Sequence, residues 1–118
     1  MTARRGDVVL VDFPFTGGGA AKVRPALVVQ NDRDNGRLSN TIVAMITGRT
    51  QRAAEPTQLL LDVSTPDGKQ TGLITNSVVN CVNLFTIEQR KVLRTLGRLA
   101  PTLPRQIDDG LKVAFSLS

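Results

Sequence analysis

The sequence predicts a mainly β fold, a five- or six-stranded curled antiparallel sheet closed by one C-terminal helix. Short apolar runs recur between segments rich in Gly, Pro, Asn and Asp, which is typical of small antiparallel barrels and sandwiches. Apolar residues change to helical spacing only near the end of the chain. At 118 residues the chain is large enough for one hydrophobic core and too small for two, so residues 1–118 are predicted to form one domain.

The strands are predicted from runs of β-branched and other apolar residues. The first run, DVVLVDF, covers Asp7–Phe13. Three glycines follow at 17–19, and they predict a flexible loop that can close over a ligand. The later runs cover 26–30, 41–46, 57–63, 77–82 and 95–100. The segments NDRDNGRLSN, TGRTQRAAEP and STPDGKQTG carry turn residues and are predicted to be loops.

Two helices are predicted after the fifth strand. Thr86-Ile87-Glu88-Gln89 matches a capping box, so a short helix is expected to begin at Thr86. Thr102 is expected to cap a C-terminal helix that has Pro104 in its first turn. One face of this helix is apolar and is expected to pack on the core: Leu103, Ile107, Leu111 and Phe115, with Ala114 beside them.

Composition restricts the possible chemistry. Fifteen Lys and Arg against ten Asp and Glu give a net charge of +5, which fits either a phosphate-backbone partner or an ordinary solvated surface. With no histidine and one cysteine, a Ser-His-Asp triad is excluded and no zinc site is expected. No metal or other cofactor is predicted. Cys81 lies in an apolar run and is predicted to be a core residue.

No stretch approaches the ~20 apolar residues of a membrane span, so no membrane association is expected. No apolar signal region follows the N-terminal charges. A single cysteine allows no intrachain disulfide, which fits a reducing compartment. A cytoplasmic protein is therefore predicted.

Two polar residues at predicted strand ends are candidates for chemistry. Pro25 biases Arg24 towards an extended backbone, and Thr47 ends another strand. If these strands pair, a guanidinium and a hydroxyl meet at one rim, near the glycine loop and a basic loop with Arg49 and Arg52. Such a pair suits a phosphodiester, because arginine binds phosphate through two hydrogen bonds and offsets developing charge. The alternative is structural: a surface arginine lying over the core and a threonine that simply closes a strand.

Four segments carry a resemblance to a known family: RRGDVVLVDF, VRPALVVQND, TIVAMIT and FTIEQRKVLRTLGRL. Together they resemble the MazF/PemK family of toxin–antitoxin endoribonucleases over roughly residues 5–117. The resemblance implies an SH3-like or CcdB-like barrel, a homodimer and metal-independent, sequence-specific cleavage of single-stranded mRNA through 2′-hydroxyl attack. It also implies a cognate antitoxin that blocks the RNA groove, with DNA contacted only through the antitoxin complex.

The family's catalytic residues correspond to Arg24 and Thr47. The resemblance places RNA-binding positions at Asn31, Arg5 and Asn83, with Asn76 and Ser77 as neighbours, and Lys22 and Arg49 complete the predicted RNA-binding set. The loop before Arg24 lacks the acidic and polar pair common in relatives, and Asn83-Leu84-Phe85-Thr86 stands where many have Gln-x-Arg-Thr. The cleavage motif therefore does not transfer. The absence of histidine excludes the variant site that uses Asp and His.

Two other functions remain open on sequence grounds. A CcdB-like gyrase poison has the same fold, binds a protein target and cleaves nothing. A non-catalytic RNA-binding module is the second alternative, but four Phe with no Tyr or Trp are few stacking platforms for a general single-strand binder.

Overall fold

Six strands form one antiparallel sheet in the computed structural model, which describes residues 2–13 and 22–117. The predicted glycine loop at 17–19 lies outside the described residues. The strands are β1 (Asp7–Phe13), β2 (Lys22–Val28), β3 (Asn40–Thr47), β4 (Gln58–Leu61), β5 (Ser77–Glu88) and β6 (Val92–Arg98). They lie in the order β4-β5-β3-β2-β1-β6. The predicted fold class, a curled antiparallel sheet with a C-terminal helix, is confirmed.

A bulge in β5 bends the sheet. Ala44 of β3 pairs with Leu84, but the next residue, Met45, pairs with Asn80, so residues 81–83 have no partner in β3. Bulges of this kind bend a strand and increase its twist. The first half of β5 can therefore pair with β4 on its other side, while the second half continues along β3.

Both faces of the central strands are buried. Val8, Leu27 and Ala44 belong to one apolar cluster, whereas their chain neighbours Val9 and Val28 belong to another. Successive strand residues point to opposite faces, so the two clusters lie on the two sides of the sheet. This arrangement explains why the β1 run VVLV contains no polar alternation.

The C-terminal helix, α3 (Pro104–Ala114), covers one of these clusters. Ile107 is buried there, and Leu103 and Leu111 pack against it, as predicted. Phe115 follows the helix with 58% of its surface exposed, so its predicted core position is wrong. Thr102 is not the cap either: Leu103 stands at the N-cap of α3 without a side-chain cap bond, and the Thr102 hydroxyl donates to Asp67 Oδ2 at 2.8 Å. Pro104 stands in the first turn, as expected.

Two short helices lie in segments that were predicted to be loops, α1 (Asp32–Arg37) and α2 (Pro66–Lys69). Asn31 caps the first, its Oδ1 accepting from Asp34 N at 2.9 Å, and Thr65 caps the second, its Oγ1 accepting from Gly68 N at 3.0 Å. Neither helix is long enough to show an apolar period, so hydrophobic spacing could not reveal them.

The helix predicted from Thr86 is also wrong. Strand β5 continues through Glu88, and Ile87 is buried opposite Thr41 of β3. Only a 3₁₀ turn, Gln89–Lys91, follows, and the side chain of Glu88 caps nothing there. β6 accordingly begins three residues before the predicted strand at 95–100.

Two smaller expectations concern Cys81 and membrane spans. Cys81 is buried, as predicted, and this burial raises the pKa of its thiol. None of the helices in the described ranges is long and apolar enough to cross a membrane.

Candidate functional site

An open groove of about 650 Å³ lies where β2 begins and β3 ends. One side is formed by the ends of these strands, and the other by a turn at 72–75 and by β6. Consecutive residues from Met45 to Arg49 line it. Successive residues of a strand point to opposite faces of the sheet. Since consecutive residues line the groove, it runs past the end of β3 and does not lie over one face of the sheet only.

Strand pairing aligns Arg24 with Thr47 at this groove. Ala26 of β2 lies opposite Met45 of β3, and continuing that antiparallel register by two residues brings Arg24 level with Thr47. Both residues line the groove. The two strands do pair, which was the condition for Arg24 and Thr47 to meet at one rim, and the burial of Ala26 and Val28 in the core favours this register.

The hydroxyl of Thr47 organises the loop that follows it. Its Oγ1 accepts a hydrogen bond from the backbone N–H of Arg49 at 3.2 Å. A short polar side chain commonly closes a turn in this way. The accepting role leaves the hydroxyl hydrogen able to donate to a bound ligand, and it holds Arg49 at the edge of the groove.

The groove carries an unusual balance of charge. Among the lining residues that the structure describes there are three arginines, Arg24, Arg49 and Arg94, and no Asp or Glu. Within the described ranges, none of these three guanidiniums has a hydrogen bond or ion pair to another residue. Guanidinium groups that lack carboxylate partners and share one concave surface suit an anion with several oxygen atoms.

Arg52, the other arginine of the predicted basic loop, is engaged elsewhere. Its Nε and Nη2 donate to the two carboxylate oxygens of Glu55 at 2.9 and 2.8 Å. The paired guanidinium lowers the pKa of Glu55, so the pair stays charged at neutral pH. Arg52 is therefore a poorer candidate for an anion ligand than Arg49.

Two further predicted residues, Ser77 and Asn83, line the groove. Ser77 is buried, and its hydroxyl donates to the carbonyl oxygen of Thr75 at 3.0 Å, which shapes the turn beside the groove. Asn83 is exposed in the β5 bulge. The bulge removes Asn83 from the β3 ladder and presents it at the groove.

The remaining predicted residues lie outside the groove lining. Asn31 is occupied as the cap of α1, and Asn76 Oδ1 accepts from Val63 N at 2.9 Å. Arg5 donates from Nε to Val29 O at 2.9 Å and from Nη2 to Asp108 Oδ1 at 2.7 Å, which ties the start of the chain to α3. Lys22 is exposed at the start of β2. Their RNA contacts stay predictions.

Arg94 is the groove residue that sequence reasoning missed. It lies in β6 within the run VLRTLGR, where neither of the two arginines stands in a distinguishing pattern. Its significance depends on β6 pairing with β1, which brings residues from the two ends of the chain together.

The described residues contain no group of three or more Asp, Glu, Cys or His side chains placed to hold a metal ion. The chemistry available from the described groove lining is therefore that of guanidinium, hydroxyl and amide groups.

Comparison with known proteins identifies relatives along nearly the whole chain. Residues 4–115 match the family model described as PemK-like, MazF-like toxin of type II toxin-antitoxin system. The chain is 31% identical to Endoribonuclease EndoA of Bacillus subtilis (strain 168) over 118 residues, covering 99% of this chain and 97% of that protein.

Solved structures share the fold. A mycobacterial endoribonuclease in complex with its cognate antitoxin superposes with a TM-score of 0.76 at 25% identity, covering 98% of this chain and 97% of that chain. Mycobacterium tuberculosis toxin MazF-mt6 gives 0.75 at 25% identity, with 95% and 98% covered. A MazE-MazF structure from Deinococcus radiodurans gives 0.77 at 18% identity with both chains fully covered, a likeness of fold.

Proposed function

The chain belongs to the PemK-like, MazF-like toxin family of type II toxin–antitoxin systems, and on that premise we propose that its arginine-lined groove cleaves RNA. Residues 1–118 act as one endoribonuclease domain that cuts single-stranded mRNA at specific sequences. The observation that carries this proposal concerns the described part of the chain: three guanidiniums without a carboxylate partner lie beside the Thr47 hydroxyl, and no carboxylate is among the described lining residues. A phosphodiester matches such a surface in charge and in hydrogen-bonding geometry.

The reaction suited to this groove uses the RNA's own nucleophile. The 2′-hydroxyl oxygen attacks the adjacent phosphorus, the bond from phosphorus to the 5′-oxygen breaks, and a 2′,3′-cyclic phosphate and a 5′-hydroxyl result. The 2′-hydroxyl loses its proton, and the leaving 5′-oxygen gains one. Positioning these atoms is worth up to ~7–11 kcal/mol in well-oriented systems, so a site without a metal can still accelerate the step greatly.

Arg24 and Thr47 take different parts in this reaction. Negative charge builds on the phosphate oxygens as the 2′-oxygen attacks, and a planar guanidinium can donate two parallel hydrogen bonds to them. A guanidinium has N–H donors and no acceptor, so Arg24 serves as a donor and not as the base. Thr47 Oγ1 already accepts a hydrogen bond from Arg49 N, so the hydroxyl hydrogen of Thr47 is left to donate to a phosphate oxygen.

The partners follow from the same premise. The mycobacterial relative was solved with its cognate antitoxin, and we assign this chain an antitoxin that occupies the RNA groove. DNA is contacted only through that complex. The toxin acts on mRNA in the cytoplasm as a homodimer, with its groove at or beside the twofold axis.

A digestion of long RNA tests the proposal against its rivals. We expect purified protein in EDTA to produce discrete fragments that end in 2′,3′-cyclic phosphate and 5′-hydroxyl groups. RNA that shifts in a native gel but stays intact would favour a non-catalytic RNA-binding module. RNA that neither shifts nor breaks would favour a CcdB-like poison, and cleavage that needs added Mg²⁺ would contradict the metal-independent step.

A further inference from the structure

We propose that Arg94 holds a phosphate of the bound RNA that flanks the cleaved one. The inference rests on the proposed function and extends it to a residue on the far side of the groove. Arg94 is exposed in the edge strand β6, and it lines the same groove as Arg24 and Thr47.

The sheet order sets the distance between Arg94 and the cleavage site. Arg94 pairs with Leu10 of β1, and the next β1 residue, Val11, pairs with Arg24 of β2. Neighbouring strands are about 4.8 Å apart, so two spacings put these arginine backbones roughly 10 Å apart. Thr47 lies one strand further away, in β3. The three inter-strand spacings from β6 to β3 exceed the size of one phosphate group, so the groove accommodates a segment of RNA chain.

Arg94 differs from Arg90 and Arg98, the other arginines near β6, because its guanidinium has no bonding partner among the described residues. Arg98 donates to Asp7 Oδ1 at 2.6 Å and to the carbonyl of Arg5, and Arg90 is paired with Glu88. Arg94 has no hydrogen bond or ion pair to any residue of the described ranges. Its guanidinium is thus available to a ligand, whereas theirs are committed to the fold.

The surroundings of Arg94 support an anion. Leu10 and Leu96 line the groove beside it and give its apolar stem a surface to lie on. No carboxylate in residues 2–13 and 22–117 lines the groove to compete for the guanidinium. An arginine placed in this way contributes to binding of the strand and takes no part in the bond changes at the cleaved phosphorus.

The test compares Arg94→Gln with a matched control, Arg33→Gln. Arg33 is exposed in α1, outside the groove lining, and it has no hydrogen bond to a described residue. Cleavage sites of the parent are mapped first, and one site is then made as a short RNA. Failure of the parent to cut overturns the proposed function itself. If the parent cuts, the variants test Arg94 separately.

We expect Arg94→Gln to raise KM about tenfold while kcat stays within about threefold of the parent. Loss of one phosphate contact should also reduce the slope of log affinity against log salt by about one. Arg33→Gln should leave KM and kcat nearly unchanged. An Arg94→Gln variant that matches Arg33→Gln in KM and salt slope would overturn the proposal.

A neutral phosphate identifies the contact directly. Each phosphate of the short RNA is replaced in turn by an uncharged methylphosphonate. Replacement of one phosphate other than the cleaved one should weaken RNA binding to the parent about tenfold. The same replacement should weaken binding to Arg94→Gln no further. If every position weakens parent and variant equally, Arg94 holds no particular phosphate.

Discussion

Among single residues, the arginines differ in whether a carboxylate of the fold binds their guanidinium, and this difference distinguishes structural arginines from candidate RNA ligands. Arg5 and Arg98 donate to Asp108 and Asp7, and both contacts join segments that are far apart in the chain. Arg24 has no such partner in the described ranges, although β2 holds its backbone in register. A guanidinium whose backbone is held in a strand and that has no carboxylate partner can donate to a phosphate without first breaking an ion pair.

Thr47→Val should reduce cleavage by about 10²-fold while the protein stays folded. Valine keeps the shape of threonine and suits a strand end, but it removes the donor to phosphate and the acceptor of the Arg49 N–H. Single-turnover rates with circular dichroism on the same samples measure the effect. Thr95→Val, on an exposed β6 position outside the groove lining, is the matched control. Equal rates for the two variants would remove Thr47 from the reaction.

Asp32 should make stability depend on pH. A hydrogen bond from the backbone N–H of Arg5, at 2.6 Å, lowers the pKa of Asp32 below its ordinary value of 3.8. Because the pKa of Asp32 is lower in the folded state than in the unfolded state, its charged form stabilises the fold at pH values above the unfolded-state pKa. This stabilisation is lost as the pH falls through the folded-state pKa. We expect Asp32→Asn to melt below the parent at neutral pH, with the gap closing at acid pH.

Melting curves of the parent and variant across this range provide the measurement. Asp109→Asn serves as the control, because Asp109 is exposed and has no hydrogen bond to a described residue. An Asp32→Asn gap that stays constant from neutral to acid pH would show that the Arg5 contact does not favour the charged carboxylate.

At the scale of elements, a close crossing of chain segments forms one wall of the groove. The turn after α2 lies against β6, where Arg98 N donates to Gln70 O at 3.0 Å. A Cβ added to Gly97 would lie 2.2 Å from Gln70 O, and one added to Gly72 would lie 2.1 Å from Leu96 O. Gly72 also has a φ of +74°, which disfavours other residues. Gly72 and Leu96 both line the groove, so this crossing shapes it.

Gly97→Ala should therefore destabilise the protein and damage the groove together. The added methyl meets backbone atoms that cannot turn aside, and overpacking of this kind costs about 1–3 kcal/mol or more. Urea denaturation measures the loss. Gly36→Ala is the control, since nothing lies within 4 Å of its added Cβ in α1. A Gly97→Ala protein as stable as the control would mean that the turn does not pack against β6 as described.

The elements that sequence could predict are those whose local pattern agrees with their tertiary contacts. The β1 run was predicted with its observed bounds, because its three valines and Phe13 are buried in the core. Thr86 to Gln89 satisfies a capping box, yet Ile87 pairs with Thr41, far away in the chain. A contact over that separation leaves no local signal, so the strand prevailed over the predicted helix.

The same limit applies to the candidate site. Arg24 and Thr47 could be placed together because Arg24 precedes one apolar run and Thr47 ends another, and the antiparallel pairing of those runs brings the two residues level. Arg94 could not be found, since its position depends on β6 meeting β1. Asn31 matched an RNA-contacting position, but the sequence alone did not reveal that it caps a short helix.

At the scale of the whole molecule, apolar side chains remain uncovered in the single chain. Ile74 is 92% exposed beside the groove, and Phe115 and Leu117 are exposed after α3. We expect a symmetric homodimer, so light scattering at micromolar concentration should give twice the 12.7 kDa of one chain. A mass of one chain at that concentration would contradict the dimer.

Arg24 is proposed to stabilise charge on the phosphate during cleavage, and single-turnover rates of Arg24→Lys measure that contribution. Lysine keeps the positive charge but not the planar fork that grips two oxygens, so RNA binding should change little. The cleavage rate should fall by about 10²–10³-fold, as when an oxyanion donor is lost, with an unchanged circular dichroism spectrum. Arg33→Lys should cut like the parent. A folded Arg24→Lys protein that cuts RNA within about threefold of the parent would contradict the role assigned to Arg24.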